Sequence, residues 1–337
     1  MPEPLLEVKN LKVHFPTEDG LVKAVDGISF SVSPGETLGV VGESGSGKSV
    51  SFLTVMGLVT KREAIIQGEV RFRGEDLLRL PQEDMRAVRG SKISMIFQDA
   101  LAALNPVHRV GNQIAEVFLA HKKATKKEAF DQSINLLQLV GIPQPQQRAR
   151  QYPHEFSGGM RQRAMIAMAL ALNPDLIIAD EPTTALDVTV QAQILDLIDR
   201  MKEEFDAAVV LITHDLGVVA EHCDDIMVMY AGKVAEYGER RDIYYGAHHP
   251  YTWGLMQSIS RIDQPRTERL RPIKGQPPSL IHVPRGCPFH PRCPYVMDVC
   301  RTEVPQLLPA NGHHASACHL SLAEKERIVH QEVLVHQ

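Results

Sequence analysis

No stretch of these 337 residues is apolar for long enough to cross a bilayer. The longest uninterrupted run, Ala164 to Leu172, has nine residues, against the roughly 20 that a spanning helix needs. Neither sign of charge dominates. With 36 basic and 41 acidic side chains the net charge is −5, which gives no global footprint for nucleic acid or an anionic membrane. A basic-then-apolar leader is missing from the N-terminus, so a cytoplasmic location is expected. No internal repeat is evident. Cysteine is almost absent from the first 286 residues, which hold only Cys223, read as a buried or idle thiol. The other four lie between Cys287 and Cys318. In a reducing compartment, thiols clustered in this way are metal ligands more often than disulfides.

The hydrophobic and charged fractions, 44% and 23%, are those of an ordinary globular chain. Proline is uneven: ten of the 22 fall between Pro265 and Pro309. That shift marks a loop-rich C-terminal module starting between residues 240 and 260. Before it, strand-like alternation runs through Leu11, Val13 and Phe15 and through Ile28, Phe30 and Val32, with turns at Asp19-Gly20 and Pro34-Gly35. Apolar strands are expected at 37–41, 93–97, 175–180 and 207–213, and a hairpin at 68–80. Helical periodicity takes over from about 107 to 172, with Thr125-Lys126-Lys127-Glu128 as a capping box. Strands alternating with helices imply an α/β fold with a parallel core. An antiparallel β part precedes that core and a helical subdomain (about 107–172) interrupts it. The expected division is one large domain over 1–240 and a Cys-containing extension over 241–337.

Four motifs carry the chemistry. Gly42-Glu43-Ser44-Gly45-Ser46-Gly47-Lys48-Ser49 is a complete phosphate-binding loop between a strand and a helix. Its bare backbone N–H groups and the helix N-terminus can surround phosphate oxygens. Lys48 supplies charge, and Ser49 a hydroxyl for Mg²⁺. Asp180 ends an apolar strand, where a carboxylate can hold Mg²⁺ through water, and Glu181 follows, able to take a proton from attacking water. Ser157-Gly158-Gly159 opens a helix; a serine hydroxyl and open amides there suit a phosphate, though the tripeptide alone is a common cap. Gln98 and His214 each follow an apolar strand, at the strand ends where doubly wound sheets collect their ligands.

Over residues 5 to about 240 these elements resemble the nucleotide-binding subunit of an ABC transporter, a P-loop ATPase that works as a face-to-face pair. The resemblance implies ATP and Mg²⁺ as ligands. It places the nucleotide on Gly42 and on Ser44, Gly45, Ser46, Gly47, Lys48, Ser49 and Val50, with Phe15 stacking on adenine. It assigns Mg²⁺ to Ser49, Gln98 and Asp180, the catalytic carboxylate to Glu181, and the γ-phosphate sensor to His214. Ser157, Gly158 and Gly159 would complete the partner's site in trans, and Asp187, in Ala185-Leu186-Asp187, would contact the partner. Met160 departs from the glutamine usual after this signature, which removes a side-chain contact and leaves the serine and glycines.

Beyond residue 240, His249-Pro250-Tyr251-Thr252 opens a region similar to the C-terminal extension of oligopeptide and dipeptide importer ATPases. Pro272 to Pro278 is also in keeping. The implied partners are a second ABC ATPase subunit, two transmembrane permease subunits and, through them, an extracytoplasmic peptide-binding protein. The location would then be the cytoplasmic face of the cell membrane, as a peripheral protein. Importers of nickel or other small solutes share the extension. A soluble ABC ATPase acting on nucleic acid is the other class; it would favour two cassettes, long coiled-coil inserts or a basic patch, none of which is visible. Cys287, Cys293, Cys300 and Cys318 have spacings of neither a zinc ribbon nor the bacterial ferredoxin run. By spacing alone zinc is at least as good as iron–sulfur, and His290, His313, His314 and His319 keep a Cys₃His zinc site open. The resemblance implies a [4Fe–4S] cluster on the four cysteines. That cluster is expected to replace a hydrophobic core and to lie well away from the nucleotide.

Overall fold

The computed structural model describes residues 3–184, 186–258 and 273–333. Ala185 and the segment 259–272, with Pro265 and Pro272, lie outside the described residues. The chain forms two compact units, one of Met1–Val32, Thr37–Leu78 and Thr213–Gln337, the other of Ser33–Glu36 and Arg79–Ile212.

In the first unit, β1 (Leu6–Thr17) pairs antiparallel with β2 (Gly20–Val32) across the turn that follows Thr17. Leu11 and Val13 of β1 and Ile28, Phe30 and Val32 of β2 are buried, as period-two alternation against a core requires. β3 (Thr37–Val41) is buried at all five positions, the pattern of a strand covered on both faces. A Cβ on Gly39 would sit 2.8 Å from Val219 and 2.9 Å from the Cys223 sulfur, so a helix packs directly on this strand and Cys223 is a buried thiol. β3 runs through the glycine loop into the helix Lys48–Val55. β4 (Ile65–Phe72) and β5 (Glu75–Asp76) complete an antiparallel sheet in the order β2-β1-β4-β5.

The second unit holds β6 (Ile93–Ile96), β7 (Leu176–Asp180) and β8 (Ala208–Thr213), apolar, buried and mutually parallel. Between β6 and β7 comes the helical insert, chiefly Val110–Ala120, Lys126–Leu139 and Gly158–Leu170. The Thr125–Glu128 capping box is formed. Helix Val188–Phe205 buries Ile194, Leu195, Leu197, Ile198 and Met201 on one face and stops at Asp206 in the left-handed region, φ 50°.

The chain then returns to the first unit. β9 (Asp225–Tyr230) lies parallel to β3, and β10 (Lys233–Glu239) antiparallel to β9. β11 (Leu308–Asn311) and β12 (His314–Ser316) add to β10, giving β11-β12-β10-β9-β3. Glu236 pairs with Ser316 and Tyr237 with Ala315. The core is therefore a mixed sheet at this end. Residue 240, where the first domain was expected to end, falls between strands of one sheet. Nor is the extension without apolar packing. Phe289, 2% exposed, meets Tyr230 edge-on at 5.2 Å and Tyr251 at 5.4 Å, and Trp253 meets Tyr295 at 5.4 Å.

Candidate functional site

The glycine loop has the shape an anion cradle needs. Gly42, Gly45 and Gly47 have φ of 151°, 77° and 100°, a region open to glycine and costly for other residues. A Cβ on Gly42 would lie 2.2 Å from the Met229 carbonyl oxygen, and one on Gly47 2.2 Å from that of Ala24, whereas Gly45 has nothing within 4 Å. One side of the loop is thus pressed on the fold and the other is open. The buried Lys48 donates from Nζ to the carbonyls of Gly42 (2.7 Å) and Glu43 (3.1 Å). Ser46 Oγ is buried without a hydrogen-bond partner, and no side chain caps the helix that starts at Lys48. An orphaned hydroxyl, an uncapped helix N-terminus and a folded-back ammonium fit a phosphate group.

Glu43 is held from the C-terminal extension, a contact between residues far apart in sequence. Arg292 donates from both terminal nitrogens to its carboxylate, at 2.6 and 3.0 Å. Burial opposes the Arg292 charge, but hydrogen bonds to Glu43 and Tyr230 outweigh it and lift its pKa above the ordinary value. The Glu43 N–H donates to the Tyr251 hydroxyl at 2.8 Å. Burial pushes that phenol far above its ordinary value, so it stays protonated. Arg292, the residue before Cys293, therefore touches the loop.

In the second unit Asp180 is buried at the end of β7. Glu181 follows with φ 45°, its N–H bonded to the Ile212 carbonyl at 2.9 Å. Gln98 Nε2 and Thr184 Oγ1 each donate to Glu181 Oε2 at 2.9 Å, so two residues chosen separately from the sequence meet. Thr184 was not anticipated. Ser157 caps its helix by accepting from the Met160 N–H at 3.3 Å, and both it and Gly158 are exposed. A Cβ on Gly159 would lie 2.9 Å from Val190, whose N–H donates to Asp187 at 3.0 Å. The signature and the expected dimer-contact residue thus both meet Val190. In the first unit, His214 is exposed where β8 ends, and Phe15 is half-buried on β1 opposite Val22, outside the core.

The four cysteines of the extension interact. Burial raises the Cys287 thiol to about 11 and that of Cys293 to about 12, with Cys318 and Cys300 adding to each, and burial also raises Cys318. Backbone N–H groups of Phe289 and His290 point at the Cys287 sulfur, that of Tyr295 at Cys293, and that of Leu320 at Cys318. Amides aimed at cysteine sulfurs are the contacts that a thiolate-bound metal group uses. The histidines of the alternative Cys₃His site are engaged elsewhere: His290 with the Cys287 carbonyl, His313 with Asp225, His314 with Glu236 and His319 with the Glu303 carbonyl. Among the described residues, no three of the four sulfurs lie within 4.8 Å of one another; the one group that does is Glu236, His248 and His314.

That second cluster is a hydrogen-bonded anchor. Glu236, wholly buried, accepts from the N–H groups of His248 and His249 and from His314 Nε2. The rings of His248 and His314 stack 14° from parallel, which prevents their in-plane lone pairs from converging on one ion. No spacing in the sequence signalled this anchor or the Arg292–Glu43 pair.

Residues 25–184 match the family model described as ABC transporter, and residues 235–300 that described as Oligopeptide/dipeptide transporter, C-terminal region. The chain is 52% identical over 301 residues, 89% of each chain, to the Oligopeptide transport ATP-binding protein OppD of Salmonella typhimurium. It is 51% identical over 328 residues to the Dipeptide transport ATP-binding protein DppD of Bacillus subtilis, covering 97% of this chain and 98% of that one. Among solved structures, the ATP-binding cassette MJ0796, a dimer in a post-hydrolysis state bound to ADP and Pi, has a TM-score of 0.63 at 26% identity. That match covers 70% of this chain and 99% of the cassette.

Proposed function

This chain belongs to the ABC transporter ATPases, and we propose that it hydrolyses ATP to energise the import of dipeptides or oligopeptides through membrane permease subunits. The observation that carries the reading is the likeness to peptide-transport ATPases, at about half identity over 301 and 328 residues. The test is growth. A strain whose own copy of this gene is deleted should use a peptide as the sole source of a required amino acid when given the wild-type gene. It should not when given Lys48→Ala. Growth with Lys48→Ala would refute the reading, and rescue of nickel uptake in place of peptide uptake would move the substrate.

In this reading the loop from Gly42 to Val50 binds the phosphates. Lys48 exchanges its carbonyl partners for β- and γ-phosphate oxygens, and Ser49 offers its hydroxyl to Mg²⁺. Asp180 and Gln98 belong to the Mg²⁺ shell. Glu181, oriented by Gln98 and Thr184, takes the proton of the attacking water. His214 senses the γ-phosphate, and Phe15 stacks on the base. Ser157, Gly158 and Gly159, at a helix N-terminus whose first two residues are exposed, serve the nucleotide of a second ATPase subunit, with Asp187 at the contact. Phe97, Leu101 and Val107 are exposed apolar residues around Gln98, 38%, 53% and 72% accessible. They support docking to permease subunits at the cytoplasmic face of the membrane.

Cys287, Cys293, Cys300 and Cys318 would hold a [4Fe–4S] group, which when bound supplies a four-point cross-link for the extension. The histidines of the Cys₃His zinc alternative are engaged with other partners, which leaves the four thiols as the donor set. Burial raises the thiols of Cys287, Cys293 and Cys318, so ligation there must displace protons. Anaerobically purified protein should be brown, with about four irons and four sulfides per chain; a colourless protein with one zinc would overturn the assignment.

A further inference from the structure

We infer that Arg292 and Tyr251 are positioning residues of the phosphate loop, and that through them the integrity of the four-cysteine module sets the loop's affinity for nucleotide. The inference rests on the reading that residues 42–49 hold the phosphates of ATP.

The Arg292 side chain is 4% exposed and that of Glu43 28%. Their contact is a two-pronged, part-buried pair, unlike the solvated ion pairs that contribute little. The guanidinium is fixed on every side. It lies 5.8 Å from the centre of the Tyr230 ring and 6.0 Å from that of Phe289, and its Nε donates to the Lys274 carbonyl at 3.0 Å. Its own backbone belongs to the turn that presents the thiols. The Arg292 N–H bonds to the Phe289 carbonyl at 3.0 Å and the Cys293 N–H to that of His290 at 3.4 Å, while the amides of Phe289 and His290 point at the Cys287 sulfur. A change at the sulfurs therefore moves the turn from which Arg292 extends.

On the loop side, Glu43 is gripped three ways. Its carboxylate takes Arg292, its N–H goes to Tyr251, and its carbonyl accepts from Lys48 Nζ at 3.1 Å and from the Ser46 N–H at 3.2 Å. Fixing Glu43 fixes the residue from which Lys48 must detach to meet a phosphate, and a loop held in shape spends less free energy on ordering when it binds. Charge acts in the same direction. Without Arg292, the Glu43 carboxylate would stand unpaired beside an anion site and repel the phosphates.

The test uses the full chain, purified without oxygen, and a fluorescent ATP analogue with Mg²⁺ under non-hydrolysing conditions. Arg292→Ala should weaken binding about tenfold, the scale of one charge-assisted hydrogen bond lost. Adding Glu43→Gln should bring affinity back to within about threefold of wild type, because the repelling charge has gone; support from Arg292 that were only structural would give no such rescue. Cys293→Ser should weaken binding as Arg292→Ala does, and the two together should be no worse than either alone. Lys48→Ala is the control. If it binds like wild type, the nucleotide reading fails; if it loses binding while Arg292→Ala keeps it, this inference alone fails. An Arg292→Ala protein that melts earlier with unchanged affinity overturns it, and so does a double variant no better than the single. Unchanged binding in Cys293→Ser removes the module from the chain of cause. Should Arg292→Ala not fold, Arg292→Lys and Tyr251→Phe decide: both should bind more weakly, and wild-type affinity in both sinks the proposal.

Discussion

Replacing His249 with Asn should flatten the protein's loss of stability in mild acid. His249 precedes the helix Pro250–Gln257 and caps it, its Nδ1 accepting from the Tyr251 N–H at 3.0 Å. An acceptor nitrogen cannot carry a proton, and the ring is 3% exposed. Burial lowers its pKa from 6.5 to about 4; Glu236 and the Ala317 carbonyl pull the other way, and Lys325 adds to the lowering. The folded value lies below the unfolded one, so the unfolded chain takes up the proton first as pH falls. The contribution is complete above pH 6.5 and is lost progressively toward about pH 4. A titration displaced from 6.5 to about 4 costs about 2 kcal/mol at pH 5 relative to pH 8.

Asparagine is a favoured cap and does not titrate in this range. At pH 8 the variant should lie within about 1 kcal/mol of wild type, the usual scale of a capping change. Between pH 8 and pH 5 it should lose about 2 kcal/mol less than wild type. His248, also lowered to about 4 by burial and then by His314, remains in both proteins, so the difference isolates His249. Trp253, the only tryptophan, lies on the capped helix with its ring N–H on the Ala247 carbonyl at 2.7 Å. Urea unfolding followed by its fluorescence at both pH values is the assay. Equal acid losses in the two proteins, within about 0.5 kcal/mol, would refute the reasoning, since the uncertainty of such extrapolations is of that size.

Glu181→Gln keeps the size and hydrogen bonding of the side chain but removes the proton acceptor, so ATP should be retained and turnover lost; normal turnover would take Glu181 out of the mechanism. Gly47→Ala should abolish binding of the fluorescent ATP analogue, since its Cβ would fall 2.2 Å from the Ala24 carbonyl oxygen at φ 100°, and near-normal binding would show that the loop can shift. In a homodimeric assembly, Ser157→Arg mixed with Lys48→Ala should regain part of the activity that neither variant has alone, because each mixed pair keeps one intact composite site. No recovery in a confirmed mixed dimer would exclude completion in trans.

What the sequence made legible was local or periodic. The phosphate loop is read from eight consecutive residues, and the strands 93–96, 176–180 and 208–213 from apolar runs that are buried on both faces. The Thr125–Glu128 capping box is visible because its two members lie one helical turn apart. The Arg292–Glu43 and His314–Glu236 contacts join residues 249 and 78 positions apart, and nothing in composition or period links such partners. The pairing of β12 with β10 is silent in the sequence for a related reason. Proline content reports the backbone style of a segment, while strand pairing reports where the segment goes, and β12 goes back to β10.

The anchor at Glu236 explains why the extension cannot be treated as an appendage. A carboxylate with no solvent exposure is tolerable only because two backbone N–H groups and the His314 ring meet it, and all three come from residues beyond 247. Without them the same carboxylate would be an unpaired buried charge, a defect of several kcal/mol. The exposed edge of β10 would also lose its partner strand. The loop would lose Arg292 and Tyr251 together, leaving Glu43 with no contact from the extension. An ATPase core that places a charge at 236 therefore presupposes the segment that neutralises it, and that segment carries the four cysteines. The four cysteines, the buried anchor and the grip on the phosphate loop are consequences of one chain path.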